Sequence, residues 1–76
     1  MDRELTFGEK AVGLTFNPSN DPQVQACKEA FAAIIDNLND QRSSVQPGEK
    51  ARILSVAITA AQDAQMWAVK GITWTD

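Results

Sequence analysis

The chain has 76 residues, a formal net charge of −3, one cysteine and no histidine. A domain of this length buries only about 60% of the surface its unfolded chain exposes, so it wants a staple, and this composition closes both the disulfide and the metal route and leaves oligomerisation. The acidic balance repels a long polyanion and weighs against a general DNA or RNA binder, while a small anion in a local basic pocket stays possible.

Cys27 falls among apolar helical residues and reads as a small buried hydrophobe rather than a reactive thiol, which fits a reducing compartment. No charged-then-apolar leader is read, and no apolar run approaches the ~20 residues of a membrane span. The expectation is a soluble, cytosolic protein without membrane association.

In chain order, residues 1–20 show no helical period. Leu5 and Phe7, then Val12, Leu14 and Phe16, alternate in places, and Gly8 and Gly13 bracket a short stretch before Pro18. The expectation is an extended arm with a short turn, docked across helices. Helix one is expected over 21–42. Asp21 is its N-cap, Pro22 stands at the first helical position, and Arg42 complements the dipole at its end. Its core stripe reads Val24, Cys27, Phe31, Ile34, Ile35 and Leu38. A short polar connection follows, and helix two is expected over 47–73, opened by Pro47, with the turn at Gly71 fraying or capping it. So short a connection makes the two helices antiparallel neighbours. The fold class is all-α: an antiparallel helical hairpin with an extended N-terminal arm, in a single domain.

Helix two carries two apolar rows. One runs Leu54, Ala57, Ile58, Ala61, Ala64, Ala68, Ile72; the other runs Ile53, Ala57, Ala60, Ala64, Trp67, Gly71, Trp74. One partner helix covers only one row, so the second asks for another copy, and a homo-oligomer is expected.

Catalytic chemistry is poorly served. Without histidine or a nucleophile elbow there is no triad, and no catalytic residue is assigned. Glu29, Asp36 and Asp40 share a face of helix one, where a carboxylate row could hold Mg²⁺, but the pattern reads as a solvated outer face. No metal and no cofactor is expected. Binding is better served. Arg52, Thr59, Asp63, Met66 and Lys70 form a polar stripe on helix two, either a solvent face or, at an oligomer seam, an anion site in which Arg52 grips a phosphate and Thr59 adds a hydroxyl. In the arm, Phe16 is either a platform for a nucleobase or a hydrophobic staple before helix one. Asn17 can read a base edge, and Lys10 and Lys28 bring positive charge.

The arm Leu14-Thr15-Phe16-Asn17-Pro18, the pair Ile35-Asp36, and Arg52 followed by Thr59, Ala64, Met66-Trp67-Ala68 and Ile72 resemble the phage anti-CBASS cyclic-oligonucleotide sponges, related through their helical hairpin to anti-Thoeris sponges. The resemblance implies a homohexamer in the cytoplasm of the infected bacterium. It also implies sequestration, without cleavage, of cyclic dinucleotides such as cGAMP and, in many members, of cyclic trinucleotides at a separate site. By that likeness Phe16 stacks on a base, Lys28 stands near the lysine that meets the phosphates, and Arg52 contacts phosphate in a trinucleotide site, with Thr59 beside it. Phe16 departs from the tyrosine common at its position and lacks the hydroxyl's hydrogen bond. Gln62-Asp63 stands where two acidic residues are frequent. The alternative is a helical-hairpin module that binds another protein through its apolar rows.

Overall fold

The computed structural model describes residues 3–76; Met1 and Asp2, where the expected arm begins, lie outside the described residues. Three helices follow in order, α1 (Phe7–Ala11), α2 (Pro22–Ser43) and α3 (Glu49–Thr73), and the described residues are all-helical with connecting turns.

The arm is not simply extended. Thr6-Phe7-Gly8-Glu9 closes a capping box: the Thr6 hydroxyl accepts from Glu9 N–H at 3.1 Å, and the Glu9 carboxylate accepts from Thr6 N–H at 2.9 Å. At the other end Gly13 takes φ +63°, Leu14 N–H donates to the Glu9 carbonyl at 3.0 Å, and Gly13 N–H donates to that of Lys10 at 3.2 Å. That pairing is a Schellman stop, which glycine enters without penalty. Five residues cannot show a period, so α1 rests on its caps and on what it docks against.

Docking requires Gly8. A Cβ there would stand 2.1 Å from the Ala32 carbonyl oxygen, so no other residue lets α1 lie this close to α2. Asp36 locks the contact, accepting from Gly8 N–H at 2.6 Å and from the Thr6 hydroxyl at 2.7 Å. Its carboxylate therefore meets donors at the start of α1, which corrects the reading of a solvated face for Asp36, while Glu29 and Asp40 of the same row are exposed.

Asp21 caps α2 as expected, accepting from Gln23 N–H at 2.8 Å, with Pro22 beginning the helix. At the other end Arg42 donates to the Ser55 hydroxyl at 3.0 Å and lies 5.5 Å from the centre of the Phe7 ring, pinning α3 and α1 to α2. α3 starts at Glu49 rather than Pro47, because Gly48 takes φ +153° and stands outside the helix. It continues through Gly71 to Thr73.

The core lies where arm, α2 and α3 meet. Val12, Ala32, Ile35 and Ile58 are buried there, with Phe31, Leu38 and Ala61 packed around them. The buried line on α2 thus passes through Val24, Lys28, Ala32 and Ile35. Ile34, placed in the core by the sequence pattern, is 51% exposed, and Cys27 is only half-buried. The cause is the arm, which covers the Lys28–Ala32 side of α2 and leaves the Ile34 side open. On α3 the first apolar row meets α2 through Ile58, whereas Ile53, Trp67 and Trp74 of the second row remain exposed. No described helix is long and apolar enough to cross a membrane.

Candidate functional site

Lys28 is the unusual residue of α2. It is 5% exposed, its stem lies under the arm, and its ammonium donates to the carbonyls of Gly13 at 3.0 Å and Phe16 at 2.5 Å. The same nitrogen stands 5.5 Å from the centre of the Phe16 ring. An ammonium has three N–H groups, and two are spent on these carbonyls. Among the described residues the ion pairs are Arg3 with Glu9 and Arg52 with Glu49, so no carboxylate neutralises Lys28. A buried charge without a counter-ion is costly. The site holds a positive charge that favours an anion.

Lys28 opens on a cavity of about 490 Å³ walled by Lys10 to Gly13 of the arm and by Gln62, Gln65 and Val69 of α3. The Schellman turn places the arm's wall: because Gly13 reverses the chain, its carbonyl faces Lys28 and Lys10 is left at the rim, exposed. Gln62 ties arm to α3, its amide donating to the Ala11 carbonyl at 3.4 Å. Three elements therefore converge on one cation, and Lys10 adds a second.

Phe16 is 72% exposed. A ring this exposed, with the Lys28 ammonium as its charged neighbour, does not fit the hydrophobic-staple alternative. Asn17 is turned elsewhere. Its amide donates to the Asp21 carbonyl at 3.1 Å and accepts from the Ser19 hydroxyl at 3.3 Å, so it shapes the turn into α2 and does not line the cavity.

Arg52 and Thr59 lie apart from this centre, on a groove of about 760 Å³ to which Val56, Asp63 and Met66 also contribute. Every lining residue belongs to α3, so the groove is an open helix face that needs another surface to close it. Arg52 grips Glu49 in two bonds, of 2.9 and 2.6 Å. That hydrogen bonding raises the guanidinium above its ordinary value and lowers the Glu49 carboxyl below its own. Glu49 thus occupies the arginine that the sequence assigns to phosphate. Gln62 and Met66 line both concavities and form their common wall.

The Lys28 ammonium does stand against Phe16, although Phe16 does not line the cavity, and sequence reasoning missed Gln65, which is 6% exposed and lines it. A glutamine between helix faces carries no local signal of burial; the arm folding back over α3 buries it. No three His, Cys, Asp or Glu side chains stand together as a metal site among the described residues.

These features define a small helical-hairpin binding protein, with a cationic cavity under its arm and an open groove on its second helix. Compared with known families, residues 9–73 match the Acb2/Tad1 hairpin domain. The chain belongs to that family, the anti-CBASS and anti-Thoeris sponges, which sequester ligands. Nothing among curated proteins or solved structures matches it.

Proposed function

We propose that the chain is a phage immune-evasion sponge that holds cyclic oligonucleotide messengers without cleaving them, in the cytoplasm of the infected bacterium. One observation carries the reading: the Lys28 ammonium, buried and without a counter-ion among the described residues, in the wall of a cavity and beside an exposed aromatic ring. A phosphate supplies the missing charge, and a base attached to it lies within reach of Phe16, a stacking contact worth about 1–3 kcal/mol. Lys10 adds charge at the rim, and Asn17 holds the turn that carries Phe16.

The α3 groove suits a second ligand class, cyclic trinucleotides, once a second copy closes it. Arg52 then exchanges Glu49 for a phosphate, with Thr59 donating alongside. The exposed row of Ile53, Trp67 and Trp74 supports assembly of copies, and a hexamer is the proposed form. Capture works by mass action: a tight receptor lowers free messenger below the threshold of its effector.

The test incubates the protein with cGAMP or cyclic tri-adenylate, digests the protein and analyses the released nucleotide. The expected result is depletion of free ligand followed by recovery of the intact cycle. A cleaved product would make the chain a phosphodiesterase, and no depletion would leave the protein-interaction module. Arg52→Ala is expected to keep the oligomeric mass and lose at least tenfold in trinucleotide affinity, given the strength of charge-assisted phosphate contacts.

A further inference from the structure

The outward face of α3 carries four charges of alternating sign. At 3.6 residues per turn Glu49, Val56, Ala60, Asp63, Trp67 and Lys70 share one exposed strip, opposite the buried Ile58 and Gln65, with Arg52 at its edge. Among the described residues Arg52 and Glu49 are ion-paired with each other, while Asp63 and Lys70 have no salt bridge. The Lys70 ammonium lies instead 5.3 Å from the Trp67 ring and 5.8 Å from the Trp74 ring, both of them exposed.

From Glu49 through Arg52 and Asp63 to Lys70 the signs run negative, positive, negative, positive. The reversed order is its complement, so a second copy of the strip laid antiparallel on the first meets it with opposite signs. The midpoint between Glu49 and Lys70 falls at Thr59 and Ala60, with each charged end about 16 Å away at 1.5 Å rise per residue. Ala60 is small enough there to let a second helix pack closely. We infer that α3 pairs with α3 of a second copy, antiparallel about a two-fold axis at Thr59 and Ala60. Glu49 then faces the partner's Lys70, Arg52 comes within about one turn of the partner's Asp63, and Ile53 lies opposite the partner's Met66. A parallel pair would set Glu49 on the partner's Glu49 and Lys70 on the partner's Lys70, and like charges so placed repel. The inference rests on the proposal that copies assemble through this open face. It adds the direction of the pairing and the residues that select it, and it needs no nucleotide.

The experiment measures the mass of the full chain against concentration by sedimentation, with helical signal and melting temperature recorded for each variant. Glu49→Lys and Lys70→Glu each set like charges at both ends of the pair, so each alone is expected to raise the dissociation constant at least tenfold. An equimolar mixture of the two variants restores opposite signs at both ends and is expected to recover the wild-type mass, as is a chain carrying both substitutions. Recovery on mixing also shows that each variant folds. Single variants with the wild-type mass, or a mixture no heavier than its components, would overturn the inference and leave assembly and the sponge reading standing. A wild-type chain that stays monomeric would remove the assembly itself, and the inference with it.

Discussion

Lys28 does two things with one ammonium, and they pull on different parts of the molecule. Its bonds to the Gly13 and Phe16 carbonyls hold the arm's second turn against α2, while its unneutralised charge faces the cavity. Methionine keeps the stem and removes all three donors. Lys28→Met is therefore expected to cost about 1–3 kcal/mol in urea unfolding, the penalty for stranding hydrogen-bond partners, with the helical signal of α2 and α3 intact at low denaturant. Nucleotide binding in the arm cavity should vanish in the same variant. The sequence made the partnership with Phe16 legible because both residues lie close along the chain around a turn. It did not make legible that the lysine is buried, since a lysine on a helix is ordinarily solvated. Arg52 shows the converse: its residue type suggests a phosphate grip, and in the free chain Glu49, one turn earlier, holds it.

The helices differ in how far local sequence determines them. The Asn20-Asp21-Pro22 start and the three-and-four spacing of apolar residues made α2 readable, and α3 followed from its length and its two rows. α1 escaped because its signal lies in its ends: the capping box at Thr6 and Glu9 and the stop at Gly13 were present in the sequence but belonged to no periodic run. α1 is consequently the element most exposed to acid. The Glu9 carboxyl is lowered from 4.5 to about 2, first by its hydrogen bond from Arg3 and then by the Thr6 N–H. A folded-state value below the unfolded one stabilises fully above about 4.5, and this support is lost as the pH falls toward 2. Titration followed by amide NMR is expected to show Thr6 and Glu9 shifting together in that window while α2 and α3 hold. A Glu9→Gln chain should lack the step.

The whole molecule measures 45 × 37 × 13 Å. It is flat, and with Ile53, Trp67 and Trp74 left exposed α3 is covered from within on one side only. This is what the two apolar rows implied. The sequence could state that a second partner was wanted; it could not state how the arm would divide the surface of α2, since that depends on Gly8 fitting against Ala32. If copies associate through the open row, the melting temperature should rise with chain concentration. Trp67→Asp should lower the mass seen by light scattering and abolish that dependence; a wild-type chain that stays monomeric and melts independently of concentration would remove the oligomer and the closed α3 groove with it. So flat a molecule also keeps little of its backbone far from water. Most of the described amides belong to α2 and α3, so isotope exchange in a single copy is governed by how often a helix opens. Only the middle of α2 is different: at Ile35, fully enclosed where three elements meet, opening the backbone also means parting the arm from the hairpin.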